Sequence, residues 1–139
     1  MTETLEKVLL VDDDEVTNLM HRRRISRSGL AQRIDVATDG QAALDYLRHC
    51  AEANEKLPDL VLLDINMPRM NGFEFLDAFN NLPRKVREKQ HIVMVSTSNL
   101  KRDKARAEID KNVLGYETKP LSDTDFERIV SQCHASEKR

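Results

Sequence analysis

The stretch Leu60-Val61-Leu62-Leu63-Asp64-Ile65-Asn66-Met67-Pro68-Arg69-Met70-Asn71-Gly72 opens with four apolar residues and turns abruptly acidic at Asp64. Such a short continuous run reads as a strand buried on both faces, with Asp64 at the edge of the sheet rather than in its core. Met67-Pro68 ends regular structure, and Asn71-Gly72 supplies a turn. A helix is expected next, from about Gly72 to Asn80, with Phe73, Phe75, Leu76 and Phe79 on its inner side.

The same sentence of strand, turn and helix repeats outward in both directions. Val8 to Val11 and Ile92 to Val95 are also continuous apolar runs, Ile34 to Ala37 is broken by Asp35, and Val113 to Thr118 is a weaker candidate that stops before Pro120. Helical spacing fills the gaps. Residues ~15 to 28 carry Val16, Leu19, Met20 and Ile25 and stop at Gly29, while residues ~40 to 54 carry Ala42, Ala43, Leu44, Tyr46 and Leu47 behind a capping Asp39. Residues ~101 to 111 are polar, with only Ala105, Ala107 and Ile109 to bury, and residues ~123 to 133 place Phe126, Ile129 and Val130 at helical spacing. Strand and helix therefore alternate five times, the pattern of an α/β parallel sheet covered on both sides. The polar stretch Asn80 to Gln90, containing Pro83, is long for a connection and is expected to extend the third helix in part.

The 139 residues suit one domain, with a core from about Lys7 to Cys133 and a frayed polar tail from Ala135 to Arg139. Tryptophan is absent and aromatics make up 4%, so aliphatic side chains and methionine must fill the interior. Lys plus Arg (22) nearly balance Asp plus Glu (24), so no global field favours nucleic acid or an anionic membrane. Cys50 and Cys133 lack partners at metal-ligand spacing, and no apolar run reaches the ~20 residues of a membrane span. With no signal-peptide pattern at the start, a cytoplasmic protein with no membrane insertion is expected.

Chemistry collects at the carboxyl ends of the strands. Asp12-Asp13-Asp14-Glu15 follows the first strand, and carboxylates that close repel one another unless a cation sits among them. A hard ion such as Mg2+ answers this with one or two carboxylates plus water, so Asp12 and Asp13 are assigned the metal role, and Asp14 and Glu15 the capping of the next helix. Asp64 follows the third strand, too far ahead of the next helix to cap it. Ser96-Thr97-Ser98 ends the fourth, offering hydroxyls to a phosphoryl oxygen or, at Ser98 or Asn99, a helix cap. Lys119-Pro120 ends the fifth, either a point charge for phosphate or a surface lysine. Ligands of open α/β sheets bind beyond those strand ends, where strand order reverses.

Taken with these motifs, the chain resembles the receiver domain of two-component response regulators, the family that includes the bacterial chemotaxis response regulator. The resemblance runs from Lys7 to about Cys133: Val8 to Asp13 is similar to the family's first strand and acidic pair, Leu60 to Asp64 with Met67-Pro68 and Gly72 to its phosphoacceptor segment, Ser96 to its hydroxyl, and Gly115 to Pro120 to its lysine-proline end. It implies a doubly wound, flavodoxin-like fold of five parallel strands in order 2-1-3-4-5 with five helices. It also implies that Asp13, Asp64 and the backbone carbonyl of Asn66 coordinate Mg2+ (or Mn2+), with Asp12 acting directly or through water. Asp64 would take a phosphoryl group from a phosphohistidine, Lys119 and Ser96 would hold its oxygens, and Tyr116 would be the aromatic that turns inward on switching. The implied partners are a sensor histidine kinase or a histidine phosphotransfer protein, with an unknown downstream protein target.

Two features depart from most relatives: Thr97 stands where a small residue is usual and is expected to narrow access to the site, and the connections at 51 to 58 and 80 to 90 are longer. With the chain ending soon after the fifth helix, output is expected through protein contacts or by relay. The basic run His21-Arg22-Arg23-Arg24 lies on the first helix, which relatives present to the phosphodonor, and is read as a solvated face. Two rivals remain: a haloacid-dehalogenase-type phosphatase with Asp12 as nucleophile, from the Asp12-x-Asp14-x-Val16 pattern, and a phosphorylation-independent adaptor.

Overall fold

Alternate residues of each central strand point to opposite sides of one sheet. Leu9 and Val11 join Val61 and Leu63 in one buried cluster, whereas Val8 and Leu10 join Leu60 and Leu62 in another. Strands with two apolar faces need helices on both, and the chain supplies them. In a computed structural model describing residues 4–97 and 100–137, the order is β1 (Leu5–Val11), α1 (Glu15–Ser28), β2 (Ala31–Ala37), α2 (Gly40–Glu52), β3 (Leu60–Asp64), α3 (Gly72–Asn80), α4 (Arg84–Arg87), β4 (His91–Ser96), α5 (Lys101–Ile109), β5 (Val113–Thr118) and α6 (Asp123–Glu137). All neighbouring strands are parallel, in order β2-β1-β3-β4-β5. The expected topology is therefore the one found.

Residues from α1 and α6 (Ile25, Phe126, Ile129, Val130 and Cys133) fill one cluster, and residues from α2, α3 and α5 (Leu44, Leu47, Phe75, Phe79 and Ala107) the other. Phe75 and Phe79 stack at 6.1 Å between centroids. Side chains close the starts of α1, α2, α3 and α6: Asp14 accepts from Val16 N–H, Asp39 from Ala42 N–H, and Asn71 and Glu74 form a reciprocal box, as do Ser122 and Asp125. Such caps contribute about 1 kcal/mol each. Gly29 ends α1 at φ 71°, a left-handed conformation that suits a residue without Cβ.

Several expectations are corrected. The 80–90 stretch does not lengthen the third helix: α3 ends at Asn80, Pro83 adopts an extended ψ of 143°, and a separate turn of helix, α4, buries Val86. Six helices result instead of five among the described residues. α6 runs through Glu137, so the described part of the polar tail is helical. Ser98 and Asn99, the expected caps of α5, lie outside the described residues. Of the three apolar residues assigned to α5 only Ala107 is buried, while Ile109 is 84% exposed. α1 is turned the other way from its apolar pattern: Val16 and Leu19 are 73% and 51% exposed, and Asn18, His21 and Ile25 face inward.

The long 51–58 connection is pinned from β1. The Asp59 carboxylate accepts the backbone N–H groups of Glu6 and Lys7 at 2.8 and 3.2 Å, and the buried Lys7 ammonium donates to the Lys56 carbonyl.

Candidate functional site

Strand register decides what meets at the carboxyl edge. Val11 pairs with Leu63, so Asp12 and Asp64 emerge side by side from adjacent strands. Asp64 pairs with Val95, which puts Ser96 one step further along β4, and Ser96 pairs with Thr118, directly before Lys119. Each strand becomes polar only as it leaves the core. The four signals scattered over the sequence thus share one edge of the sheet.

The side chains converge. Lys119 Nζ lies 2.6 Å from Asp12 Oδ2 and 2.9 Å from Asp64 Oδ1, with all three side chains largely buried. Asp12 Oδ1 accepts from Asp14 N–H at 2.9 Å, so both oxygens of Asp12 are engaged. Asp13 is exposed, yet it offers an oxygen within 4.8 Å of those offered by Asp12 and Asp64. Three carboxylate oxygens this close match the donor chemistry of a hard divalent ion, so Asp12, Asp13 and Asp64 fit Mg2+. Asn66 lies two residues past Asp64 and lines a surface depression with Asn71, Phe73 and Arg102. Ser96 is fully buried, its backbone carbonyl accepting from Lys119 N–H at 2.8 Å. Thr97 is exposed, and Tyr116 packs half-buried against the cluster under α3.

Electrostatics follow from this crowding. Burial pushes the Asp64 carboxyl above its ordinary value, with the charges of Asp12 and Asp13 adding to the rise and the Lys119 hydrogen bond opposing it. Burial pulls the Lys119 ammonium down, but its bonds to Asp12 and Asp64 outweigh this and leave it raised, a fixed cation.

The loop after Asp64 is held from below. Gly72 N–H donates to the Ile65 carbonyl at 2.8 Å, and the place a Gly72 Cβ would take is 2.7 Å from the Asp64 carbonyl oxygen. Arg69, at φ 67°, pairs with Asp39 at 3.3 Å.

Three polar residues of α1 escape the motif-based reading. Asn18 Nδ2 donates to the Asp12 carbonyl at 2.8 Å, His21 Nε2 accepts from Leu121 N–H at 3.1 Å, and Arg24 donates to the Leu121 carbonyl at 2.5 Å. His21 and Arg24 therefore do not belong to a solvated basic face; only Arg22 and Arg23 of that run are exposed. The available signal was polar residues at three-residue spacing, Asn18, His21 and Arg24, inside a helix whose apolar residues did not form one stripe.

Asp14, the second acid of the phosphatase-like pattern, is occupied with capping α1 through Val16 N–H and the Thr17 hydroxyl. Comparison with known proteins agrees in rejecting that rival. The family model for the response regulator receiver domain matches residues 8–131. The probable methanogenesis regulatory protein FilR2 of Methanothrix harundinacea is 35% identical over 125 residues, covering 90% of this chain and 79% of that protein. The nitrate/nitrite response regulator protein NarL of Escherichia coli is 32% identical over 94% of this chain, which spans only 55% of its length. Among solved structures, a two component response regulator from Cytophaga hutchinsonii superposes with a TM-score of 0.89 at 29% identity, covering 96% of this chain and 99% of that one. The chemotaxis response regulator CheY4 of Vibrio cholerae gives 0.72 at 26% identity, covering 94% and 99%. On sequence, topology and the matched residues together, this chain belongs to the response regulator receiver domain family.

Proposed function

We propose that Asp64 accepts a phosphoryl group from a phosphohistidine in a Mg2+-dependent reaction, and that the chain signals through the contacts this change alters. The observation that carries the reading is the Lys119 ammonium bridging Asp12 and Asp64 at the strand ends, with Asp13 alongside. A carboxylate oxygen of Asp64 attacks phosphorus, the O–P bond forms as the P–N bond breaks, and the imidazole leaves with the bonding pair. Bound Mg2+ would offset charge on the transferring oxygens, held by Asp13, Asp64 and the Asn66 carbonyl, with Asp12 beside them. Lys119 turns from a carboxylate partner into a donor to the phosphoryl group, and the Ser96 hydroxyl is the second donor. Tyr116, half-buried two residues before Thr118, is the side chain we assign to reporting that change.

The donor is a sensor histidine kinase or a histidine phosphotransfer protein. On α1 the exposed Val16 and Leu19, with the half-buried Met20, line a surface depression of about 480 Å³ edged by Arg23 and Arg27. An apolar floor with a basic rim suits an acidic-rimmed helical partner. The test is incubation with Mg2+ and acetyl phosphate, or with a phosphorylated phosphotransfer protein, followed by intact mass. One phosphoryl group is expected on the parent and none on Asp64→Asn; equal uptake by the two would remove Asp64 from its role.

A further inference from the structure

The inner face of α1 carries Asn18, His21 and Ile25, and two of these three are polar. Burying amide and imidazole groups costs free energy unless their bonds compensate, and an apolar face would pack against the sheet without that cost. The bonds they make all go to backbone at the site. Asn18 holds the Asp12 carbonyl at 2.8 Å. One turn later His21, only 5% exposed, takes the N–H of Leu121 at 3.1 Å, and one further turn on Arg24 donates to the carbonyl of the same residue at 2.5 Å. Both backbone polar groups of Leu121 are thus gripped by α1, and its side chain is buried among the residues beneath α1 and α6. On the other side, Lys119 N–H is fixed to the Ser96 carbonyl at 2.8 Å.

We infer that His21 and Arg24 are positioning residues for Lys119, acting through Leu121. One helix face spaces the segment that carries Asp12 from the segment that carries Lys119, so the ammonium is delivered to within 2.6 Å of Asp12 rather than left on a free loop. The bond requires a neutral imidazole with its lone pair on Nε2 and its proton on Nδ1. Charged groups that act on this imidazole are Asp12 from the β1 end, Lys119 from the β5 end and Arg24 from its own helix. A leucine at 21 would fill the space and leave the Leu121 N–H without its acceptor.

The inference rests on the proposed role of Lys119 at a phosphoryl group, and the test separates the two. Phosphoryl uptake from acetyl phosphate is timed by intact mass for the parent, His21→Leu, His21→Gln, Lys119→Met and the His21→Leu, Lys119→Met pair, and hydrogen exchange is followed at the Leu121 amide. His21→Leu should slow uptake about fivefold, His21→Gln should recover most of that rate because its amide oxygen reaches the place of Nε2 and can accept from Leu121, and His21→Leu should cost less than about twofold when Lys119 is already methionine. Leu121 exchange should rise about tenfold in His21→Leu. Uptake at the parent rate, an equal loss on both backgrounds, or unchanged exchange overturns the inference. Should the parent take up no phosphoryl group, the proposed function fails, while Leu121 exchange still decides the clamp. If His21→Leu does not fold, Arg24→Met removes the other half of the clamp from a half-buried position and carries the same expectations.

Discussion

Replacing Gly72 by alanine tests how tightly the loop beneath Asp64 is drawn. The new Cβ would sit 2.7 Å from the Asp64 carbonyl oxygen, 3.0 Å from Ile65 Cα and 3.0 Å from Met94 Cε, where ordinary contact begins at 3.4 Å. Two of these neighbours are backbone, so relief requires β3 and the start of α3 to part by roughly 0.7 Å, an overpacking that costs about 1–3 kcal/mol. Alanine recovers a few tenths of a kcal/mol in helix propensity at this first helical position, leaving a net loss of about 2 kcal/mol. For a domain of this size that is a fall in Tm of roughly 6–10 °C. Gly115→Ala is the matched control, since its Cβ would meet nothing closer than Glu117 Oε2 at 4.0 Å. That variant should melt at or up to a few degrees above the parent, because alanine loses less backbone freedom on folding than glycine does. Both are read by thermal melts in EDTA. Gly72→Ala melting with or above the parent would refute the close approach of α3 to the backbone of Asp64 and Ile65.

Mg2+ at about one hundred times its Kd should stabilise the parent by about 2.7 kcal/mol in thermal melts, and Asp13→Ala should abolish most of the gain; a rise that survives in Asp13→Ala would remove it from the ion site. Because the folded Asp64 carboxyl is raised above its ordinary value, ionising it costs the fold stability as pH climbs past 3.8. Metal-free Asp64→Asn should therefore be more stable than the parent at neutral pH, by a margin in urea midpoints that closes as the pH falls towards 3.8. His21 is shifted the other way, lowered from 6.5 by burial, so the folded state resists its protonation. The parent should lose stability as pH drops below 6.5 towards the folded value, and His21→Asn should lose less; parallel curves would contradict the buried neutral imidazole. Leu19→Glu should slow transfer from a phosphorylated phosphotransfer protein at least about tenfold while leaving uptake from acetyl phosphate within about twofold, both timed by intact mass.

The sheet was legible because its central strands carry no ambiguity. Leu60 to Leu63 and Val8 to Val11 are apolar on both faces, and the acids that follow mark where each leaves the core. The edge of the sheet was also legible as a meeting place, since parallel strands must present Asp12, Asp64, Ser96 and Lys119 on the same side. What could not be read was the rotation of α1. Its apolar residues suggested an inner face, but Val16 and Leu19 turned out to be exposed because Asn18, His21 and Arg24 find backbone partners across the fold, at Asp12 and Leu121. Those partners lie up to 100 residues away in the chain, beyond any local pattern. α4 escaped for a related reason: four residues after Pro83 are too few for periodicity, and only the burial of Val86 holds them.

The Lys119 bridge has a further consequence in stoichiometry. Three carboxylates and one ammonium gathered at a single edge leave a formal charge of minus two. A monovalent ion entering that pocket leaves it unbalanced, whereas one divalent ion brings it to neutrality without displacing the lysine from the ensemble. The Mg2+ of the proposed reaction thus has its charge matched by the number of side chains gathered there.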